Sequence, residues 1–255
     1  MILFPPFRGF VRTFVFVCGG VFILQQFAQF GPTSNPELYS NLVRFFGLTP
    51  ELVFKGMVYQ LVTWMFLHGS FIHLLFNMFG FWMFGSLLEE LWGTKRMVTF
   101  TLLTGLFTGL VICLFGLMDS MTFLLPTIGA SGVVFATLIA VSRLNPDQMV
   151  LFFFVFPMRM KYFAYLMVLI EFYALYTSNQ QGISNIGHLG GALFGFLYVS
   201  WTMRRRRSGR GGGSFGGSGG GNWFQRLKDQ WHHRRMRKKI RVIKINGSGN
   251  RTTYH

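Results

Sequence analysis

Long apolar runs separated by short polar segments make up the first 203 residues of the chain. An α-helix needs roughly 20 apolar residues to cross the ~30 Å hydrocarbon core of a bilayer, and six segments come close to this length. These segments are 14–30, 71–88, 97–118, 127–142, 162–176 and 186–203. The pattern therefore predicts an all-α membrane protein with a bundle of six transmembrane helices.

The six predicted spans differ in length and polarity. Only 97–118 is a long uninterrupted run, whereas the fourth and fifth spans are short, and the fifth contains Glu171 without an evident partner. Short or polar spans are tolerated where protein or a water-filled cavity surrounds them. The carboxylate of Glu171 is accordingly expected to be buried against a neighbouring span.

Two segments allow alternative interpretations. The first run begins with basic residues like a signal peptide, but no small-residue cleavage site follows and three glutamines make its end polar. This favours an uncleaved span. Segment 149–161 is apolar but contains Pro157 and ends in basic residues. We interpret it as an interfacial cytoplasmic segment, and the alternative is that it begins a longer fifth span.

Composition excludes an ordinary soluble protein and a disordered chain. Hydrophobic residues make up 51% of the chain and charged residues only 13%, whereas soluble domains typically carry about 25% charged residues. The two cysteines, Cys18 and Cys113, lie in apolar runs, which excludes a disulfide framework and a cysteine-based zinc site.

The net charge of +16 is concentrated at the C-terminal end, where residues 204–255 hold 15 Lys and Arg against one acidic residue. Basic residues favour the cytoplasmic side of a membrane, so both termini are expected in the cytoplasm, with a bacterial inner membrane as the preferred location. The charge predicts a membrane domain over 1–203, a basic Gly/Ser-rich linker over 204–221 and a basic tail over 222–255. The tail resembles an amphipathic helix on anionic lipid, and nucleic-acid binding is the less favoured alternative.

Four polar residues of the predicted spans fall in one layer of the membrane. A rise of ~1.5 Å per residue from the cytoplasmic end of each span places Ser131 and Asn77 at about 18 Å. The same rise places His73 and His188 at about 24 Å. Polar groups in a bilayer core are costly and usually face the interior of a bundle, so these side chains are expected to meet.

Such a layer has the components for acyl transfer. A serine hydroxyl becomes an effective nucleophile when a histidine accepts its proton. Because spans two, four and six carry no carboxylate at this depth, a Ser131–His188 pair is expected rather than a triad. His73 and Asn77 share one helix face, and with the free backbone N–H of Ser131 they can donate to an oxyanion.

Small residues at four-residue spacing accompany this chemistry. Gly187, Gly191 and Gly195 flank His188, and Gly132 begins a similar series after Ser131. This spacing lets two membrane helices approach closely. It predicts that the fourth and sixth spans touch, with the hydroxyl of Ser131 within hydrogen-bonding distance of the His188 imidazole.

At this point the sequence resembles the rhomboid family of intramembrane serine proteases. The resemblance covers roughly residues 10–203 and depends on motifs that occur in the order of the family. The motifs are His68-Gly-Ser-Phe-Ile-His73-Leu-Leu-Phe-Asn77, Gly85-x-x-x-Glu89-x-x-x-Gly93, Gly129-Ala130-Ser131-Gly132 and Gly187-His188-Leu189-Gly190-Gly191-Ala-Leu-Phe-Gly195. One departure is Tyr59-Gln60, where many relatives carry Trp-Arg.

The resemblance implies a rhomboid-type bundle that cleaves membrane proteins in or near a transmembrane segment, beside a small residue and without a cofactor. It implies that Ser131 is the nucleophile and His188 the general base. It also implies an oxyanion site of His73, Asn77 and the Ser131 amide, and a structural role for His68. Glu89 and Glu90 are expected to cap the second span near Lys95 and Arg96.

Other interpretations remain for the same residues. Ser131 and the glycines Gly129 and Gly132 are common at helix starts for packing alone, and an interior histidine such as His188 can simply be hydrogen-bonded. A metal site of the three histidines is disfavoured because no carboxylate or thiolate joins them. An inactive rhomboid-like module that binds membrane segments is the main alternative function. A small transporter is disfavoured because the polar groups form one layer and no inverted repeat is evident.

Overall fold

Helices make up most of the membrane domain. The computed structural model describes residues 5–30, 36–152, 156–177 and 182–208. The chain divides into two units, 1–208 and 209–255. The predicted tail over 222–255 and most of the predicted linker lie outside the described residues. The linker prediction overlaps them only at 204–208, which continue the last helix.

The described helices and strands follow one another in a simple order. Four helices precede the second predicted span: α1 (Gly9–Phe30), α2 (Pro36–Phe46), α3 (Pro50–Phe54) and α4 (Gln60–Thr63), the last extended by a 3₁₀ turn at Trp64–Phe66. The second span is α5 (Phe71–Gly80), a π-helical segment at Phe81–Gly85, and α6 (Ser86–Trp92). The remaining elements are α7 (Thr94–Gly116), α8 (Ser120–Leu124), α9 (Ser131–Leu144), β1 (Met149–Phe152), β2 (Phe156–Arg159), α10 (Met160–Thr177) and α11 (Gly182–Ser208).

Each predicted span contains a helix, but the helices differ in their capacity to cross a membrane. Among the described residues, three are long and apolar enough by length and composition: Gly9–Phe30, Phe71–Trp92 and Thr94–Gly116. The helix α9 is apolar but has only 14 residues. The helices α10 and α11 carry ionisable and polar side chains that lower their mean hydropathy, as the sequence indicated for Glu171.

The segment between α9 and α10 is a β-hairpin, so the all-α prediction is wrong there. The strands β1 and β2 pair antiparallel, with Met149 opposite Arg159. Pro157 prevents a helix, since it lacks an N–H and clashes with the preceding turn, and the helix α10 begins only at Met160. The alternative of a longer fifth span is therefore wrong. The Asp147 carboxylate ties the hairpin to α10 through Lys161 Nζ at 2.9 Å, and this hydrogen bond and charge lower the pKa of Asp147.

The loop between α1 and α5 forms backbone hydrogen bonds with the segment that leads into α9. Leu48 and Thr127 exchange two backbone hydrogen bonds of 2.9 and 2.8 Å, and the N–H of Gly129 donates to the Trp64 carbonyl at 3.0 Å. The chain is therefore extended before Ser131, and α9 begins four residues later than the predicted start at residue 127.

Gln60 organises this loop from within. Its side-chain oxygen accepts from the Thr49 N–H at 3.0 Å, and its amide donates to the carbonyls of Arg44 at 2.9 Å and Phe45 at 3.0 Å. The side chain is fully buried. Gln60, which stands where the resemblance led us to expect arginine, thus supplies the loop with three internal hydrogen bonds.

Glu89 caps α1 rather than its own helix, which corrects the prediction made from sequence. Its carboxylate accepts from the backbone N–H groups of Phe10 at 2.8 Å and Val11 at 2.9 Å. It also accepts from the Thr94 hydroxyl at 2.7 Å. Free N–H groups and the helix dipole make a helix N-terminus favourable for a carboxylate. Glu90 pairs with Arg8 at 2.7 Å instead of with a residue of α7.

The helices α9 and α11 pack with their backbones in contact. A Cβ atom on Gly191 would overlap the carbonyl oxygen of Gly132, and one on Gly195 would overlap the carbonyl of Ala136. A Cβ atom on Gly132 would lie 3.1 Å from the carbonyl of Gly187. Only glycine permits this approach, which places the first turns of α9 beside the turns of α11 that carry Gly187 and Gly191.

Replacing Gly191 by alanine should force α9 and α11 apart. We expect the free energy of unfolding to fall by about 1–3 kcal/mol, as is typical of overpacked positions. Gly190→Ala is the matched control, because its Cβ would meet Val111 at an ordinary 3.4 Å. Thermal unfolding in detergent measures both variants, and equal melting temperatures would contradict the backbone contact.

Replacing Glu89 by glutamine should loosen the start of α1. The amide presents an NH₂ group to at least one of the N–H donors, so we expect a loss of about 1–3 kcal/mol, the usual cost of an unpaired buried group. Glu51→Gln is the control, since its carboxylate contacts the exposed Lys55 and such pairs contribute about 0–1 kcal/mol. Thermal unfolding compares them, and a loss no larger than that of the control would count against the cap.

Candidate active site

The side chains of His73 and Asn77 lie against the segment that leads into α9. Both residues are on α5, whose N-cap is Ser70; the Ser70 hydroxyl accepts from the His73 N–H at 3.1 Å. A Cβ atom on Gly129 would be 2.7 Å from His73 Nε2 and 3.7 Å from Asn77 Nδ2. A side chain at residue 129 would therefore overlap His73, whereas Asn77 lies at an ordinary contact distance.

Gly129 has the backbone conformation that this approach requires. Its φ of +124° is one that other residues rarely adopt. Ala130 is the N-cap of α9, so Ser131 is the first residue of the helix. The first N–H groups of a helix have no partner within it. The Ser131 N–H therefore has no acceptor within its own helix.

The surroundings of His73 indicate which ring nitrogen carries its proton. The backbone N–H of Gly69 approaches His73 Nδ1 at 3.5 Å, so Nδ1 is the acceptor and Nε2 the donor in the neutral ring. The ring of His68 packs against the ring of His73, with centroids 5.2 Å apart. The Nε2–H donor thus belongs to the nitrogen nearest Gly129.

His68 is fully buried where α1 meets the start of α5. Its backbone N–H donates to Gln25 Oε1 on α1 at 3.1 Å. Neither of its ring nitrogens forms an aligned hydrogen bond with any of the described residues. The arrangement places His68 behind His73 rather than beside Ser131.

Asn77 carries a donor without an acceptor. Its side chain is 5% exposed, and its Nδ2 atom is buried without a hydrogen-bond partner. Leaving such a group unpaired costs about 1–3 kcal/mol. An unpaired amide next to Gly129 is thus available for an acceptor that enters the site.

His188 lies next to the first turn of α9. Its imidazole stacks on the ring of Phe135, one helical turn after Ser131, with centroids 4.7 Å apart and planes inclined by 8°. It is also close enough to His73 for the two rings to interact electrostatically. The structure therefore brings the start of α5 and the second turn of α11 to the start of α9.

The hydroxyl in contact with His188 Nε2 is that of Ser184. Ser184, one turn earlier on α11, has its Oγ 3.4 Å from Nε2. Among the described residues, no hydrogen bond joins Ser131 to His188. The predicted Ser131–His188 hydrogen bond is therefore not formed in this arrangement, although the two residues belong to adjacent helix turns.

Glu171 of α10 is the group that sequence reasoning missed. Its Oε2 lies 2.8 Å from His188 Nδ1 and accepts from Asn185 Nδ2 at 2.7 Å. The His188 ring N–H is not directed along the 2.8 Å line, so the contact is not an aligned hydrogen bond. The signal was present in the sequence: a carboxylate in an apolar span requires a partner, and His188 is the ionisable residue of the next span.

Chemically, the site offers a serine at a helix start, a histidine base and up to three donors for a developing negative charge. Among the described residues, no three His, Cys, Asp or Glu side chains gather as the ligands of a metal ion would. The chemistry available from these side chains is proton transfer and acyl transfer.

The site lies within a segment that matches a known protein family. Residues 55–206, more than half of the chain, match the model of the rhomboid domain. The chain belongs to the rhomboid family, and its apolar helices make it an integral membrane protein.

Curated relatives come from fungi, plants and bacteria. "Rhomboid protein 1, mitochondrial" of Saccharomyces cerevisiae is 25% identical over 213 residues, which cover 81% of this chain and 60% of the relative. "Rhomboid-like protein 15" of Arabidopsis thaliana is 30% identical over 59% of this chain and 38% of the relative. "Rhomboid protease GlpG" of Yersinia pseudotuberculosis is 26% identical over 58% and 49%. The matches therefore span about four to six tenths of the lengths of these relatives.

Proposed function

We propose that this protein is an intramembrane serine protease that hydrolyses peptide bonds in or near the transmembrane segments of membrane proteins. The observation that carries the proposal is the convergence at the start of α9. His73 and Asn77 lie against Gly129, and His188 stacks on Phe135. These contacts on either side of Ser131 support its assignment as the nucleophile, with His188 as the base and His73 and Asn77 as donors.

In the proposed reaction, the Ser131 hydroxyl attacks the carbonyl carbon of the scissile peptide. His188 accepts the hydroxyl proton at Nε2 as the C–O bond forms, and then passes that proton to the leaving amine. For this step Nε2 has to turn from Ser184 towards Ser131. Catalytic hydrogen bonds are often long or misaligned in the absence of substrate and tighten in the complex.

The oxyanion is proposed to form on the side of Gly129. The Ser131 N–H, His73 Nε2–H and Asn77 Nδ2 are the donors, and each strengthens its hydrogen bond as the carbonyl oxygen becomes negative. A water molecule then hydrolyses the acyl-enzyme, so the site must open to water. The substrate helix must unwind locally, because its hydrogen-bonded backbone shields the peptide bond.

The proposed membrane topology has six spans, comprising the helices α1, α5–α6, α7, α9, α10 and α11. Basic residues place both termini in the cytoplasm, and we propose a bacterial inner membrane as the location.

The basic tail over 222–255 is proposed to bind anionic lipid headgroups rather than nucleic acid. Transmembrane proteins are the proposed substrates, and no cofactor takes part.

One observation favours a second candidate function. Because His188 Nε2 faces Ser184 and not Ser131, the chain could instead be an inactive rhomboid-like module that captures membrane segments without cutting them. The two functions differ in whether Ser131 reacts. A serine-reactive fluorophosphonate labels Ser131 in the protease and leaves it unlabelled in the binding module.

Replacing Ser131 by alanine should abolish cleavage of a model transmembrane substrate, by about 10⁴-fold or more, because the proposed acyl-enzyme forms on the Ser131 hydroxyl. The protein should remain folded. Ser184→Ala is the matched control: it removes the other hydroxyl near the same imidazole, and we expect it to keep activity within a few-fold. Cleavage is measured with purified protein in proteoliposomes.

The two serine variants also separate the alternatives. Full activity of Ser131→Ala together with loss of activity in Ser184→Ala would transfer the nucleophile to Ser184. Unlabelled and inactive wild-type protein would favour the binding module.

Replacing Asn77 by alanine should lower kcat by about 10²–10³-fold, the usual cost of one oxyanion donor. The same change should not lower the melting temperature, because the amide it removes is buried without a partner. Asn41→Ala, on the exposed side of α2, is the control and should change neither. Steady-state cleavage and thermal unfolding are measured for Asn77→Ala and Asn41→Ala. A lower melting temperature of Asn77→Ala with unchanged kcat would show that Asn77 contributes to packing and not to catalysis.

A further inference from the structure

We propose that Glu171 is a positioning residue of the active site, which orients His188 through Nδ1 and thereby completes a Ser131–His188–Glu171 triad. This inference rests on the proposed function. It differs from the pair expected from sequence. The third member comes from α10, which is not one of the three spans that carry Ser131, His188 and the proposed oxyanion donors.

Glu171 carries a carboxylate within a proposed membrane span, and this location requires an explanation whatever the function of the protein. It lies within α10, on a helix that is otherwise apolar in its second half, and its side chain is 13% exposed. A charged group in a membrane span costs several kcal/mol and is found paired or facing the bundle interior. The partners of Glu171 are both on α11, which explains how the carboxylate is accommodated.

Asn185 holds the carboxylate where His188 can use it. Its Nδ2 donates to Oε2 at 2.7 Å, and the same oxygen lies 2.8 Å from His188 Nδ1. Asn185 and His188 are three residues apart on α11, so they lie on one face of the helix. The contact distance is already that of a hydrogen bond, and only the orientation of the ring has to change.

A carboxylate at Nδ1 has a defined chemical consequence. It favours the tautomer with the proton on Nδ1, which leaves Nε2 unprotonated to accept the proton of the Ser131 hydroxyl. When that proton arrives, the ring becomes an imidazolium and the carboxylate stabilises its charge. Glu171 takes no proton itself, and the proton on Nε2 leaves with the amine product.

Among the described residues, Glu171 is the carboxylate that contacts His188 and can orient its ring. Phe135 covers one face of the ring, Ser184 approaches Nε2, and His73 is the neighbouring titratable ring on α5. Among the described residues no other carboxylate is in ion-pair contact with His188. The competing explanation is that the Glu171–Asn185 hydrogen bond only fastens α10 to α11.

Glu171→Gln separates these explanations, because glutamine keeps an oxygen that can accept from Asn185 but removes the charge beside His188. We expect kcat for a transmembrane substrate to fall by about 10²–10⁴-fold, the range seen when a triad carboxylate loses its charge, with KM unchanged. Glu171→Asp, which restores the charge one methylene further away, should recover at least a tenth of the wild-type kcat. Glu51→Gln makes the same chemical change outside the site and should leave cleavage unchanged.

A double variant tests whether Glu171 acts through His188. On the His188→Ala background, Glu171→Gln should cause no further loss of activity, because residues that act as one unit are not additive. Multiplicative losses in the double variant would overturn the proposal, as would wild-type kcat in Glu171→Gln. A lower melting temperature with unchanged kcat would assign Glu171 to the α10–α11 contact alone.

A spectroscopic measurement keeps this test independent of cleavage. In protein labelled with ¹⁵N-histidine, the His188 resonances are those lost in His188→Ala, and their shifts report which nitrogen is protonated. We expect the proton on Nδ1 in the wild type and a mixture of tautomers in Glu171→Gln. Identical His188 spectra would overturn the role of Glu171 and leave the protease proposal standing. Failure of wild type to cleave or to react with fluorophosphonate would overturn the protease proposal even if the spectra differ.

Discussion

The contact between the backbones of α9 and α11 is the interaction on which the site depends. Where Gly191 meets Gly132 and Gly195 meets Ala136, no side chain separates the two helices. Membrane helices gain little from hydrophobic exclusion of water, so close van der Waals packing of this kind carries much of their association. The consequence for chemistry is geometric: a helix start with a free N–H and the turn that bears His188 become neighbours.

A second constraint follows from the first, because helices that pack this closely also enclose polar groups that lipid cannot solvate. The structure satisfies most of these groups across helices. Glu89 of α6 accepts from the N-terminus of α1, and Glu171 of α10 accepts from Asn185 of α11. The Asn77 amide remains without a partner. In the proposed reaction this amide would donate to the oxygen of the substrate carbonyl.

Much of this arrangement could be predicted from the sequence, for a physical reason. The length of an apolar run predicts a helix, and the spacing of small residues predicts a close contact between helices, because both are local properties of the chain. The motifs around His73, Ser131 and His188 likewise indicated a shared layer from helix rise alone. The sequence did not predict the hairpin within the segment 149–161, because strand pairing depends on a partner strand.

The sequence by itself determined the class of this protein: a helical membrane protein of the rhomboid family, with a serine, histidines and an asparagine at similar depths. Only the tertiary structure decided the partners: Gln60 within the outer loop, Glu89 on α1, and Glu171 on His188. The reason is that a pattern along one helix specifies the face and depth of a side chain but not which neighbouring helix meets it. That choice depends on how the helices pack, and a difference of a few ångströms decides whether His188 Nε2 faces Ser184 or Ser131.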